Sequence, residues 1–510
     1  MKIKILPLVG LALWVASLAV ARPFTIIDSV HHYNLDPHTA NYSSEAQMLT
    51  GLYEGLFSYD PFSLEPLPAL VSEYKVSRDR LRWTFILKED AKFSNGQEIT
   101  AQTIKDSWLA LLEPATEAPF ASLLDCIKGA ADFRSGRGSA ADVGISVHGK
   151  RQLVLRLSAP TEHLPSILCH HSFSAVHPDR SVFSGPFVAE AYDGRRLVMK
   201  KNHHYHDAEN VALDEIVVLQ SDNYAENSYL FNTGEVDWIL SSAEIASIID
   251  YHAVLVNAEF ATEYLFFKSH RAPWNQPAFR NALLSAVPWD ALRGNSFVPA
   301  STLIYPIGDY VAPAGIADFD PEEARLLLAQ AKEESGMAAD EPLEITIAIS
   351  DTEYSRTQAE ILRQSWTMLG VTVNISNTPV NRYLDSIPSW NADLFSYTWI
   401  GDFADPLAFL ELFRSGSTLN ESEWGNPEYD KLLEEAAFAT GERRLELLAA
   451  AEDLLLSEGV LLPVSHPVTL NVIDLNAVKG WQLNALDIHP LKYLRREKTA
   501  PRIPNLVLAD

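Results

Sequence analysis

Two carboxylates, Asp402 and Asp405, stand three residues apart in the run TWIGDFADP, Thr398 to Pro406. The run follows NADLFSY, which reads as a largely buried strand. A carboxylate buried without a partner is costly, so each acid must lie at the surface or meet a cation. That cation belongs either to this chain or to a molecule that arrives from outside. Asp405 precedes Pro406 and the apolar LAFLELF, an N-cap arrangement in which the carboxylate accepts from free helix N–H groups. Asp402 sits earlier in the loop and capping does not account for it.

Other residues that could do chemistry are less ordered. His31-His32, His170-His171 and the run NHHYHD, with His203, His206 and Asp207, offer metal-type side chains, but no second ligand set has metal spacing. The bland reading of NHHYHD, polar residues facing solvent after the strand RRLVMKKN, is preferred. No G-x-S-x-G elbow, Walker loop, G-x-G-x-x-G or H-E-x-x-H is present, and nothing arranges Ser, His and Asp as a triad. Cys126 and Cys169 are read equally as one bridge or as two buried thiols. Trp399, beside the acidic loop, reads first as core.

The surrounding elements must position that loop. LEITIAIS (343–350) alternates as a strand. RTQAEILRQSWTMLG (356–370) places Ala359, Leu362, Trp366 and Leu369 on one helical stripe that stops at Gly370, and VTVNIS (371–376) alternates again. Strand, helix and strand make a βαβ unit with parallel pairing. The next strand, ADLFSYTW (392–399), runs straight into the acidic loop, and ligands of open α/β sheets sit beyond the carboxyl ends of strands. Upstream, LRWTFILK (81–88) is strand-like, Asn95-Gly96 marks a turn, and Thr100 caps a helix with Ile104, Trp108, Leu111 and Leu112 on one face. Asp320 caps a further helix (319–334), and residues 427–459 read as two helices broken at Thr440-Gly441.

The chain has 510 residues, enough for two or three domains, and its net charge of −27 argues against nucleic acid and anionic membrane surfaces as partners. Lys2 and Lys4, the apolar run ILPLVGLALWVASLAV and the small residues of Ala19-Val20-Ala21 read as a cleavable secretory leader over residues 1–21. No cysteine follows the leader, which excludes lipid attachment there. No later stretch is long and apolar enough to span a bilayer.

Taken together, the motifs resemble the large solute-binding proteins of bacterial peptide ABC transporters, extracytoplasmic family 5, most closely the oligopeptide-binding branch. The resemblance is carried by the order and spacing of LDPHTANYSSEAQMLTGLYEGLFSYDP (35–61), WTFILKEDAKFSNGQEITA (83–101), EPATEAPFAS (113–122), SGPFVAEAY (184–192), KKNHHYHDAENVALDEI (200–216), NTGEVDWI (232–239), FRNALLSAV (279–287), WIGDFADP and GNPEYDKLLEEA (425–436). It implies an α/β, two-lobed periplasmic-binding-protein fold of type II with hinge strands near TEYLFFK and LPVSHPVTL. Lobe I would comprise residues 22–53, 179–261 and 469–510, with a subdomain over 54–178 inserted in it, and lobe II would comprise 262–468. Binding would close the lobes on a ligand that touches both.

In such proteins the acid of the W-x-x-D loop pairs with a peptide's α-ammonium. Here it is Asp402, after Trp399, Ile400 and Gly401. The rest of the peptide would lie as an added strand between Asn41, Tyr42 and Ser43 on one side and Thr398 and Ile400 on the other. Phe120 replaces a ligand-facing tyrosine and removes its hydroxyl. Ser396 stands where the oligopeptide branch has an arginine, which points away from capture of a short peptide's carboxylate. Ile400 replaces a cysteine found in some relatives, so their disulfide cannot form. The resemblance thus implies an exported, monomeric, non-enzymatic component of an importer that meets an oligopeptide and a membrane permease in the periplasm and needs no cofactor and no metal. The alternative with the same fold binds an oligosaccharide or a nickel or other metal chelate. The alternative of another class, a peptide-processing enzyme or chaperone, lacks a nucleophile or metal in this sequence.

Overall fold

Alternating and continuous apolar runs become strands where the periodicity places them. The computed structural model describes residues 22–294, 296–307, 309–401 and 403–497; the leader segment and Asp402 lie outside these residues. The expected βαβ unit is strand Leu343–Ser350, helix Glu353–Thr367 and strand Val371–Thr378, with the strands parallel and Gly370 at φ +81° ending the helical segment. Helices Ala101–Leu112 and Pro321–Glu334 start where Thr100 and Asp320 accept from backbone N–H groups. Pro427–Phe438 and Gly441–Ser457 are the two halves of the helical hairpin. Among the described residues no helix is long and apolar enough to cross a membrane.

Three sheets organise these elements. A seven-stranded sheet has the order 254–258, 468–473, 238–239, 24–28, 215–220, 196–201, 187–192, so it gathers strands from both ends and the middle of the chain. A five-stranded sheet has the order 371–378, 343–350, 394–400, 261–267, 461–465. A four-stranded antiparallel sheet, 71–76, 82–87, 152–156 and 145–148, forms a separate unit inserted in sequence between strands 24–28 and 187–192 of the seven-stranded sheet. One face of the five-stranded sheet packs on helices through Trp274, Phe279 and Trp366. The other face, with Phe266, Phe395 and Trp399, belongs to a core that continues into the four-stranded unit through Trp108 and Phe120.

The polypeptide passes between the seven-stranded and five-stranded sheets at two adjacent places, Glu259–Phe260 and His466–Pro467. Glu259 N donates to Pro467 O at 3.1 Å, and Phe260 N donates to Ala485 O at 2.8 Å. Two short crossings tied to each other make a hinge, because only these few residues need change φ and ψ when the sheets reorient. Burial raises the Glu259 carboxyl to about 8, with Asp487 adding to the effect, so the acid is mostly protonated at neutral pH.

The four-stranded unit is welded to the seven-stranded sheet. Glu54 is buried, with Lys492 Nζ at 3.1 Å from Oε1, His206 Nε2 at 2.6 Å from Oε2, and the Tyr205 hydroxyl donating to Oε1. This corrects the reading of NHHYHD as a solvent-facing run. His203 and His204 are exposed, but Tyr205 and His206 turn inward onto a carboxylate 150 residues away in sequence, a partner that no local pattern reveals. Burial alone would raise the Glu54 carboxyl, but Lys492 and the His206 bond hold it down at about 2. A depressed carboxyl stabilises the fold fully above its unfolded value of about 4.3 and loses that contribution as pH falls towards 2. Glu54→Gln, which leaves Lys492 buried and uncompensated, should lower the unfolding free energy at pH 7 by about 3 kcal/mol. It should also flatten the acid side of the stability–pH curve below pH ~4.3. Urea unfolding at pH 7, 4 and 3 checks both; equal stability of variant and wild type at pH 7 contradicts the weld.

Candidate functional site

The site forms where strand Leu394–Ile400 outruns one of its neighbours. Along one edge it pairs with Ala261–Phe267 over its whole length, from Leu394 against Phe267 to Ile400 against Ala261. Along the other it pairs with Leu343–Ser350 at only two positions, Ile347 with Leu394 and Ala348 with Phe395. Tyr383 fills the place where the strands part: its hydroxyl donates to Ala348 O at 2.9 Å, and it also meets the Ser396 backbone.

Hydrogen-bond alternation then decides which groups are free. Gly401 N donates to Phe260 O at 2.8 Å, so Trp399 and Tyr397 direct their backbone groups to the same neighbour. The N–H and C=O of Thr398 and Ile400 point to the opposite, vacated edge. Among the described residues no protein group takes them up. Backbone groups must be paired when dry, so this edge needs water or an incoming strand.

Trp399 is only 7% exposed and its indole N–H donates to Ala408 O at 2.9 Å, so it is core as first read. One of its faces nevertheless meets the four-stranded unit: its ring centroid is 6.3 Å from that of Phe120. Phe120 lies 4.3 Å from His170, which stacks at 4.1 Å on His171. His171 in turn bonds the backbone of Ala40, next to Asn41. The structure thus brings Trp399, Phe120 and the start of the 41–43 segment together through two histidines that sequence reasoning weighed only as metal ligands. His38 and His171 are buried, and burial pushes both imidazoles down to about 4, so they are neutral at pH 7. Both ring nitrogens of His38 and Nε2 of His171 have no hydrogen-bond partner. Among the described residues no group of three or more His, Cys, Asp or Glu side chains could hold a metal ion.

The 41–43 segment differs from the extended edge that resemblance implied. Tyr42 is extended, at φ −95° and ψ 141°, but Ser43 already begins helix Ser43–Leu52. The N–H groups of Asn41 and Tyr42 both donate to Glu45 Oε2 at 3.2 Å, and Tyr42 O accepts from Ala46. Helix capping has therefore claimed the N–H groups of Asn41 and Tyr42. Asn41 and Ser43 are exposed and Tyr42 half-buried. Burial, together with Asp385 of the 383–386 turn, raises the Tyr42 hydroxyl.

Of the two acids of the loop, Asp405 lies among the described residues. Asp405 caps Leu407 N at 3.0 Å, as expected, and also holds a bidentate pair with Arg444 at 2.7 and 2.8 Å. Burial pulls its carboxyl up, but Arg444 and His163 outweigh it and leave it below the usual range. Its cation belongs to this chain. Both cysteines are free; burial pushes the Cys126 thiol up to about 12 and the Cys169 thiol higher still, which makes them inert.

Two sheets joined by a hinge, with a vacated strand edge between them, define a two-lobed solute-binding protein of the periplasmic type. Residues 65–421 match the family model of the bacterial extracellular solute-binding proteins, family 5, and the chain belongs to that family. It is 26% identical over 490 residues to the dipeptide-binding protein DppE of Bacillus subtilis, covering 90% of this chain and 88% of DppE. It is 26% identical over 486 residues to the periplasmic oligopeptide-binding protein OppA of Salmonella typhimurium, covering 88% of this chain and 87% of OppA. The murein tripeptide-binding protein MppA of Escherichia coli superposes with a TM-score of 0.82 at 23% identity, covering 94% of this chain and 99% of MppA. The unliganded open form of MppA gives 0.63 at 23% identity and 93% and 98% coverage. The family is a substrate-binding transport component, not an enzyme family.

Gly401 links the site to the hinge. A Cβ on it would stand 2.4 Å from Cδ1 of Phe260, the hinge residue, and 3.2 Å from Phe409. Gly401→Ala must therefore displace the Phe260 ring, and should cost about 1–3 kcal/mol of stability in urea unfolding. An unchanged midpoint shows that the hinge ring yields freely.

Proposed function

We propose that this chain is the exported substrate-binding component of an ABC importer and that it captures oligopeptides in the cleft between its lobes. The observation that carries this is the vacated edge of Thr398 and Ile400, with donors and acceptors spaced for one extended backbone. A peptide lying there satisfies the main-chain groups whatever its side chains, which gives affinity with broad selectivity. On the far side the Asn41 carbonyl, the Ser43 region and the Tyr42 ring supply polar and aromatic contact. Phe120 and Trp399 form an apolar floor.

Asp402 takes the peptide's α-ammonium in this reading. Its neighbour Asp405 already has Arg444, so the loop's other acid is the one whose cation comes from outside. A charge-assisted pair in a closing, drying cleft is strong, and an unpaired Asp402 disfavours closure of the empty protein. Residues 22–53, 179–261 and 469–510 act as lobe I, with 54–178 inserted, and 262–468 as lobe II. The protein binds its peptide without altering it and delivers it, as a periplasmic monomer, to a membrane permease.

Native mass spectrometry of the purified protein, with release and sequencing of what co-purifies, is the direct test, and a mixture of peptides is expected. Asp402→Asn should weaken a free peptide about 100-fold, the loss expected when one partner of a desolvated pair is removed. N-acetylation of the peptide should cost the wild type a similar factor and the variant little. Asp405→Asn serves as control: it should lower the melting temperature yet keep the preference for the free amine. A co-purifying sugar or metal chelate, or binding indifferent to both changes, overturns the reading.

A further inference from the structure

The inserted unit touches both lobes, and the two interfaces are built differently. Towards the seven-stranded sheet it is fixed. The buried Glu54–Lys492–His206 cluster lies there, Ser94 N donates to Phe183 O at 2.8 Å and the Ser184 hydroxyl donates to Ala175 O at 2.7 Å. Separating these surfaces would strand a carboxylate and an ammonium, so the unit moves with that lobe.

Towards the other lobe the contact is a set of hydrogen bonds, from hydroxyl, main-chain and one guanidinium group, between residues 119–134 and 416–418. Thr418 Oγ1 donates to Pro119 O at 2.7 Å and accepts from Ser122 N at 3.2 Å. Ser122 Oγ lies 2.9 Å from Thr418 Oγ1 and 3.1 Å from Ser417 Oγ. Arg134 Nη2 donates to Gly416 O at 2.7 Å, while the Arg134–Asp125 pair holds the guanidinium in place. His163 stacks on Phe403 across the same seam, with ring centroids 5.4 Å apart and planes at 15°. Beside these bonds a pocket of about 370 Å³, partly open to solvent, is lined by Leu123, Ile167 and Phe403 and by the charged Asp125, Glu411 and Arg444. Hydroxyl-to-carbonyl bonds suit such a seam, because water replaces them on opening at little cost, unlike a buried charge.

We propose that Thr418, Ser122 and Arg134 form a clasp by which the inserted unit latches directly onto the second lobe, so that part of the free energy of closure is independent of the ligand. None of the clasp groups lies on the Thr398–Ile400 edge. The clasp therefore raises the closed population by the same factor for every ligand, and affinity rises without selectivity. Its effect on affinity rests on the cleft being the peptide site; its effect on the ligand-free protein does not.

The test uses the ligand-stripped mature protein, small-angle X-ray scattering, and calorimetric titration with two chemically different probes, tri-alanine and tri-lysine. Thr418→Val keeps the side chain's shape and removes the hydroxyl at an exposed position. It should enlarge the ligand-free radius of gyration and weaken both tripeptides by one common factor, about 5- to 10-fold for a lost hydrogen-bonding group. Ser122→Ala should act in the same direction, and Thr418→Ser, which keeps the hydroxyl, should behave as wild type. A Thr418→Val protein with wild-type scattering, or a loss confined to one peptide, overturns the clasp. If neither tripeptide binds the wild type, the peptide reading fails, while the scattering comparison still decides the clasp.

Discussion

A main-chain donor or acceptor cannot be shut away from water without a partner. Among the described residues, Thr398 and Ile400 leave such groups open along their outer edge, at a surface near the inserted unit and Ala40. The edge exists because strand Leu394–Ile400 extends past Leu343–Ser350 while remaining paired to Ala261–Phe267. That second pairing keeps the edge rigid, and Tyr383 keeps the parted strands apart. In the proposed function, a peptide supplies the strand that this edge lacks.

The same requirement explains the company this edge keeps. Gly401 brings the binding loop against Phe260, so the groups that would hold a ligand sit on the residue about which the lobes turn. Motion at the hinge and occupancy at the edge share one ring contact. The inserted unit has one face held by a buried ion cluster and the other by hydroxyl and guanidinium bonds beside a pocket.

The two acids of the TWIGDFADP run show the limit of a local pattern. Capping of Leu407 by Asp405 follows from Pro406 and the apolar residues behind it, and the structure has that bond. Its pair with Arg444 comes from a helix 39 residues later, and no spacing rule reaches that far. Likewise the histidines at 170 and 171 read as metal ligands or as nothing. Their stacking between Phe120 and Ala40 is a product of packing. The 41–43 segment errs in the other direction: resemblance implied an open strand edge, and the Glu45 carboxylate before helix Ser43–Leu52 takes the N–H groups of Asn41 and Tyr42.

The elements were legible from local patterns, because strand and helix periodicity, caps and turn residues act over a few positions. The βαβ unit, the capped helices and the broken hairpin lie within a few residues of where apolar spacing put them, and the order of motifs sufficed to indicate the family. Only the tertiary structure decided which backbone edge stays unpaired, which acid has its cation within the chain, where the hinge ring lies and how the inserted unit joins each lobe. Each of these depends on contacts between residues tens to hundreds of positions apart. Such contacts are fixed by burial and by the pairing that burial demands, after the local elements have formed.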